Sequence, residues 1–246
     1  MKTKFLFIAL IALSVNSFAQ KVNVLSPAEK RDGWKLLFDG NTFNGWIGMN
    51  LKTFPVKEKG WIVKDGTITI QKSSGDMDPQ SKDLVTVEQF STFDLRFDFK
   101  ISEGANSGVK YFIIPEVANG NSGVGLEYQV LDDEHHPDAK LGRDGDRTLA
   151  SLYDLFPSRK PASAINPIGQ WNEGRIVVYP NGKVEHYLNG VKVLEYVRGS
   201  KEFRNAVALS KFKNIPNFGE AIQGHILLQD HGFEVNYRNI KIKVLK

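Results

Sequence analysis

Apolar and polar residues alternate along most of the chain, which is the pattern of β-strands that bury one face and expose the other. The clearest example is FDLRFDFKI, residues 93–101, in which every second side chain is Phe, Leu or Ile. WIVKDGTITI, residues 61–70, predicts two strands joined by an Asp-Gly turn. RIVVYPNGKVEHYLNGVKVLEYV, residues 175–197, predicts three strands joined by two Asn-Gly turns. The chain is therefore expected to consist mainly of antiparallel strands.

One segment departs from this period. SKEFRNAVALSKF, residues 200–212, has the apolar spacing of a helix, whereas EVNYRNIKIKVL, residues 234–245, returns to strand alternation. About ten strands, short turns and one short helix predict an all-β, antiparallel sandwich of jelly-roll type, with a closed barrel as the alternative. The sequence contains no internal repeat and no long linker, so we expect a single domain over residues 31–246.

The N-terminal residues are expected to be a signal peptide. Two lysines flank the start of an apolar run, and small residues follow at Ser17 and Ala19, which favours cleavage after Ala19. Residues 1–19 are then the signal peptide, and residues 20–30 are expected to be a tether that leads into the first strand at Trp34. The apolar run is shorter than the about 20 residues that span a membrane, and a buried N-terminal helix is the alternative. We therefore predict a periplasmic or secreted protein without a membrane span.

Composition narrows the class of protein further. Removal of 19 of the 246 residues leaves 227 and lowers the formal net charge from +4 to +2. So small a charge gives no reason to expect a nucleic-acid partner. The sequence has no cysteine, which excludes disulfides and argues against a lipid-anchored cysteine at the cleavage site. The fold must therefore depend on an ordinary hydrophobic core, which a chain of this length can build.

An ordered set of motifs gives a more specific indication. The chain opens with GWKLLFDGNTFNGW (33–46) and closes with GHILLQDHGFEVNYRNIKIK (224–243). Between them, in order, are WIVKDGTI, DLVTVEQFSTFDLRFDFKIS, NSGVKYFI, GLEYQVLDD, HPDAK, ASLYDLF, GQWNEGRIVV and VEHYLNGVKVLEY. The set resembles the 3-keto-disaccharide hydrolase family, formerly a domain of unknown function common in secreted bacterial proteins, from Arg31 to Lys243. The resemblance implies a concanavalin A-like β-sandwich that acts on sugars oxidised at C3.

Strand alternation assigns the polar residues of GLEYQVL to faces. Glu127 and Gln129 share one face, and Tyr128 and Val130 share the other. A strand that buries Tyr128 and Val130 in the core turns Glu127 and Gln129 toward the outer, concave surface. That surface is where a jelly roll of this kind binds a sugar.

Two further strands can add polar groups to the same cleft. In GHILLQDHG, Gln229 and His231 share a face, and NSGVKYFI offers Lys110 with Asn106 just before it. Plainer roles exist for each residue: a solvated sheet face for Glu127, a strand end for His231, a surface position for Lys110 and the core for Tyr153 and Trp171. With the family resemblance, we predict Glu127 and His231 as catalytic and five substrate-binding residues: Asn106, Lys110, Gln129, Tyr153 and Gln229.

The strand around Glu127 lacks the carboxylate pair of ordinary retaining glycosidases. Laminarinase-like sandwiches carry Glu-x-Asp-x-x-Glu on one strand face, but position 129 is an amide here and Asp132 faces the other way. A 3-keto sugar does not need that pair, because the ketone acidifies the C2 hydrogen and the aglycone lies β to the carbonyl. One base, one acid and a group that stabilises the enolate are sufficient. We assign Glu127 and His231 to acid and base in either order, with Lys110 or a bound cation at the enolate.

The most conspicuous polar segment, DDEHHPD at residues 132–138, could be a metal site. It has oxygen and nitrogen donors, but adjacent His135 and His136 point apart in extended backbone, and Pro137 extends the backbone at His136. We expect a loop that leaves the strand and borders the cleft, with Asp132 as its hinge. A divalent cation in this loop, or in the cleft at Glu127 or His231, is an open alternative.

Three functions follow in order of preference. The first is a hydrolase or lyase that cleaves 3-keto-glycosides after a separate sugar 3-dehydrogenase has made the ketone, since the sequence has no Gly-x-Gly-x-x-Gly nucleotide motif that opens a helix. The second is a non-catalytic carbohydrate-binding module on the same sandwich. The third, a plain glycosidase, is disfavoured by the missing carboxylate pair.

Overall fold

A computed structural model of the protein describes residues 22–49, 60–72, 83–114 and 123–246. Two α-helices lie within these ranges, α1 (Pro27–Arg31) and α2 (Lys201–Leu209). The strands within the same ranges are β1 (Trp34–Leu36), β2 (Trp46–Gly48), β3 (Trp61–Lys64), β4 (Thr67–Ile70), β5 (Leu84–Phe90), β6 (Phe93–Ile101), β7 (Asn106–Ile113), β8 (Leu126–Leu131), β9 (Asn172–Val178), β10 (Lys183–Leu188), β11 (Val191–Val197), β12 (Gly224–Leu228) and β13 (Val235–Val244).

The strands of the described ranges form two antiparallel sheets. The larger sheet has the order β11-β10-β9-β6-β13-β4-β3, with β1 also paired to β13. The smaller sheet has the order β2-β5-β12-β7-β8. This architecture confirms the predicted concanavalin A-like jelly-roll sandwich and excludes the closed barrel.

The core lies between the two sheets and is built by the alternation seen in the sequence. Along β6, Phe93, Leu95, Phe97 and Phe99 are fully buried. Tyr128 of β8 crosses from the smaller sheet and meets the Phe97 ring edge-on, with ring centroids 5.3 Å apart. Burial of such large side chains stabilises the sandwich by about 1.5–3 kcal/mol for each residue. Because the inward residues of β8 are committed to this core, its polar residues face outward.

The described part of the predicted tether, from Val22 onward, leads into β1 at Trp34 and is bound to the domain by hydrogen bonds. Asn23 donates hydrogen bonds to Asn239 and to the Gly66 carbonyl, at 2.6 and 2.8 Å. Ser26 and Glu29 then cap α1 reciprocally in a capping box. The sequence predicted one helix, and α1 is a second, because five residues without a buried side chain give no apolar period to detect.

Three further predictions concern the signal peptide, a membrane span and the helix near residue 200. The predicted signal peptide, residues 1–19, lies outside the described residues. In the part of the chain that the structure describes, no helix is long and apolar enough to cross a membrane. The helix predicted around residues 200–212 is confirmed over Lys201–Leu209 as α2, whose N-terminus is capped by the Ser200 hydroxyl.

Candidate active site

A cavity of about 580 Å³ opens on the outer face of the smaller sheet, where β12, β7 and β8 lie side by side. The structure places all seven site residues predicted from the sequence on its lining: Asn106, Lys110, Glu127, Gln129, Tyr153, Gln229 and His231. Strand alternation places Lys110, Glu127 and Gln129, since their inward neighbours Val109 and Tyr128 belong to the core. Gln229 and His231 follow the end of β12, and Tyr153 lies outside the strands. Their placement follows the prediction, and their roles remain predictions.

The floor of the cavity is the antiparallel pair β7–β8. Lys110 is paired with Glu127, and Gly108 with Gln129. The ammonium of Lys110 lies 3.7 Å from Oε2 of Glu127, and both side chains are nearly buried. The carboxyl group of Glu127 folds over Gly108, where a β-carbon would lie only 2.4 Å from Oε1. A glycine at position 108 is therefore what makes room for this carboxylate.

Two glutamine amides complete the surroundings of Glu127. Oriented so that every group is satisfied, the amide nitrogens of Gln129 and Gln229 each donate to Oε1 of Glu127 at 3.1 Å. The carbonyl oxygen of Gln229 then accepts from Lys110 Nζ at 2.9 Å and lies 3.0 Å from Nε2 of His231. Gln229 thus connects Glu127, Lys110 and His231 in one hydrogen-bonded group.

Burial shifts the ionisation of both predicted catalytic residues. It raises the pKa of Glu127, against the opposing charges of Lys110 and Lys211. Burial also lowers the pKa of His231 to about 4, and the charges of Lys110, His136 and Lys211 act in the same direction. His231 is therefore a neutral imidazole at neutral pH, and the Glu127 carboxylate is more basic than an exposed one.

One buried acceptor in the cavity wall has no internal partner. Oδ1 of Asn106 is buried and accepts no hydrogen bond from any described residue. An unsatisfied buried acceptor costs about 1–3 kcal/mol, and a hydroxyl group that donates to it from the cavity would remove that cost. This supports the predicted role of Asn106 as a substrate-binding residue.

The cavity wall also contains residues that sequence reasoning missed. Lys211 and Phe212 follow α2, and Phe233 lies just after His231. The ammonium of Lys211 lies 4.1 Å from the centroid of the Tyr153 ring. No period or motif marked Lys211, because its position in the site depends on how α2 packs, more than 80 residues away from Glu127 in the chain.

The DDEHHPD segment borders the cavity as a loop, as predicted. Asp132 organises its turn by accepting hydrogen bonds from Nδ1 of His135 at 2.8 Å and from the Gly104 amide at 2.8 Å. His136 and Asp138 line the cavity. Within the described ranges, no group of three His, Cys, Asp or Glu residues could hold a metal ion. A cation bound by fewer protein ligands stays a prediction.

The comparison with known proteins identifies the family. A model described as the 3-keto-alpha-glucoside-1,2-lyase-like domain matches residues 33–243. The chain belongs to this family. The motif resemblance in the sequence is therefore confirmed, and the matched segment of this 3-keto-alpha-glucoside-1,2-lyase-like domain includes every residue described above at the cavity.

Individual relatives agree with the family. A protein of Bacteroides thetaiotaomicron named 3-keto-disaccharide hydrolase is 37% identical over 256 residues, which cover 96% of this chain and 86% of the relative. A crystal structure from Parabacteroides distasonis, named as a candidate glycosyl hydrolase, is 32% identical with a TM-score of 0.76 and covers 92% of this chain and 100% of its own. A second structure from that organism, 24% identical with a TM-score of 0.59 and coverages of 86% and 99%, shows the fold alone.

Proposed function

We propose that this protein is a glycoside-cleaving enzyme that acts on 3-keto-glycosides, by proton abstraction at C2 and β-elimination of the aglycone, with or without addition of water. Family membership and the relative named 3-keto-disaccharide hydrolase support the substrate class. The observation that carries the chemistry is the Glu127 carboxylate, which lies in the cavity floor beside Lys110 and next to a neutral His231.

The carboxyl groups of the cavity favour elimination over ordinary glycoside hydrolysis. Among the described residues, Glu127 and Asp138 are the carboxylates that line it. The Asp138 carboxylate accepts hydrogen bonds from Arg147 at 2.9 Å and from the hydroxyl of Tyr153, so its oxygens are used in the structure of the cavity wall. A retaining or inverting glycosidase needs two working carboxyl groups, whereas proton abstraction next to a ketone needs one base.

In this mechanism Glu127 is the base. Two amide N–H groups and the Lys110 ammonium favour its ionised form, and burial makes that carboxylate more basic. It takes the C2 proton, and the electron pair moves onto O3 as an enolate. Lys110, which lies 3.7 Å from Glu127, and the neutral imidazole of His231, which shares Gln229 with Glu127, stabilise the charge on O3, as preorganised donors do at developing oxyanions. Asn106, Gln129 and Gln229 then bind sugar hydroxyl groups.

Collapse of the enolate re-forms the C3 carbonyl, makes a C1=C2 double bond and breaks the bond from C1 to the aglycone oxygen. Addition of water to C1, with return of the proton from Glu127 to C2, completes net hydrolysis. Release of the unsaturated sugar before this addition makes the protein a lyase.

The test is aglycone release from a 3-keto-glucoside. The wild-type protein should release it, whereas Glu127→Gln and His231→Ala should lose activity while keeping the wild-type circular dichroism spectrum. Deuterium at C2 should slow the reaction and be lost to solvent. Full retention of the label in the product rejects elimination, and binding without turnover identifies a carbohydrate-binding module.

Three further parts of the proposal concern the source of the ketone, the location of the protein and a divalent cation. The ketone must come from an enzyme that oxidises the C3 hydroxyl of a sugar, which we infer is a separate dehydrogenase. We infer export to the periplasm or medium, which intact-mass analysis of the secreted protein tests by the absence of residues 1–19. A divalent cation in the cleft is a further proposal, and turnover that survives chelation rejects it.

A further inference from the structure

The proposed elimination needs a proton at the departing oxygen, and the predicted pair does not supply one. Glu127 is used as the base, and a pKa of about 4 leaves His231 without a proton to give as an imidazolium near pH 7. Asp138 is occupied by Arg147 and Tyr153. Lys110 is assigned to the enolate, which leaves Lys211 as the other lysine among the described residues that line the cavity.

Lys211 is held at that wall by its own backbone. It follows Ser210, which ends α2, and its amide donates to Oδ2 of Asp154 at 2.7 Å. Its ammonium lies 4.1 Å from the Tyr153 ring centroid and 5.2 Å from that of Phe212. Its cation thus lies over two aromatic faces, and no carboxylate of the described ranges forms an ion pair with it and competes for its proton.

Hydrogen-bonded ion pairs connect Asp154, which binds the amide of Lys211, with Tyr153, which contacts its ammonium. Arg147 donates to Asp154 at 2.7 Å and to Asp138 at 2.9 Å. Asp138 in turn accepts from the hydroxyl of Tyr153, whose ring lies under Lys211. The wall is thus a closed network that orients Lys211 toward the cavity.

The electrostatic setting suits a proton donor. Partial desolvation and the charge of Lys110 lower the pKa of Lys211, while the Glu127 carboxylate opposes them. A less basic ammonium is a better acid at neutral pH. The residue also remains exposed to solvent at the rim, so it can exchange protons with water between turnovers.

We propose that Lys211 is the general acid that protonates the glycosidic oxygen as the C1–O bond breaks. This assignment rests on the proposed function. The proton leaves Nζ for the aglycone oxygen, and the C1–O electron pair goes with that oxygen, which releases an alcohol. The neutral amine then accepts a proton from the water that adds to C1, so Lys211 regains its charge and no other reactant is needed.

Two substrates that differ in the leaving group test the assignment. Methyl 3-keto-glucoside releases methoxide and needs the acid, whereas 4-nitrophenyl 3-keto-glucoside releases a stable phenolate and does not. Lys211→Met should lower kcat/KM on the methyl substrate by about 10²–10⁴-fold and on the nitrophenyl substrate by less than about 10-fold. Exchange of the C2 hydrogen with D₂O, which depends on Glu127, should persist in the variant.

Matched variants separate proton donation from other roles. Lys213→Met, at an exposed position two residues on, should behave as wild type on both substrates. Lys211→Arg keeps the charge but does not give up its proton, so it should match Lys211→Met. Rescue by Lys211→Arg, equal losses on both substrates, or no loss on either would each overturn the assignment. If the wild-type protein releases neither aglycone, the proposed function itself fails, and the role of Lys211 falls with it.

Discussion

Gly108→Ala should lower the activity of the enzyme about 10²-fold while leaving the fold intact. A β-carbon at position 108 would lie 2.4 Å from Oε1, 2.9 Å from Cδ and 3.0 Å from Cγ of Glu127. Ordinary contacts begin near 3.4 Å, so the carboxyl group must retreat by about 1 Å. A displacement of that size at a reacting group lowers the rate by about 10²-fold. We expect kcat/KM on a 3-keto-glucoside to fall by about that factor.

The stability of the same variant should change only modestly. Gly108 has ordinary backbone angles, so alanine stiffens the unfolded chain and stabilises by about 0.4–1 kcal/mol. Weakened hydrogen bonds from Gln129 and Gln229 to Glu127 cost about 0.5–1.5 kcal/mol each, which offsets that gain. The net loss is at most about 2.6 kcal/mol, so the melting temperature should fall by no more than about 10 °C, at about 2–4 °C for each kcal/mol.

Gly174→Ala is the matched control. Its β-carbon would lie 2.4 Å from two carbons of the Phe97 ring in the core, and neither residue lines the cavity. Overpacking of this kind costs about 1–3 kcal/mol, so the melting temperature should fall while activity per folded molecule is unchanged. Wild-type kinetics in Gly108→Ala would show that the position of the Glu127 carboxylate does not matter and would refute its role as the base.

Two more variants probe the charges of the protein. Lys110→Met removes the charge that lowers the pKa of Glu127, so the acid limb of the kcat/KM pH profile should move to higher pH; an unmoved limb would contradict Glu127 as the group that must be ionised. His186 is fully buried between Tyr111 and the Ala150 carbonyl, and burial lowers its pKa from 6.5 to about 4. As the pH falls, His186 is protonated in the unfolded chain before it is protonated in the folded one. Its contribution to the free energy of unfolding is therefore fully present above pH 6.5 and should fall by roughly 3 kcal/mol as the pH drops to 4. Urea unfolding of His186→Gln should show a shallower fall over that window, and an equal slope would exclude His186 as the cause.

The alternation of apolar and polar residues along the chain predicted most of the strands and the face of the sheet on which each side chain lies. In β8, successive β-carbons point to opposite faces, so Tyr128 and Val130 in the core imply Glu127 and Gln129 outside it whatever the partner strands are. The same reasoning placed Lys110 of β7. The capping box at Ser26 and Glu29 was also present in the sequence, and α1 was missed because a five-residue helix has no period.

Contacts between residues far apart in the chain were decided only by the tertiary structure. Gln229 reaches Glu127 across about a hundred residues because β12 and β8 flank β7, an order that no local pattern specifies. The neutral state of His231 depends on burial and on the charges of Lys110 and Lys211, which packing brings to it. Lys211 reaches the cavity because Asp154 binds its amide, and neither residue carries a sequence signal of this. Alternation is a property of a single strand, whereas the composition and charge of a site depend on which strands and loops pack together.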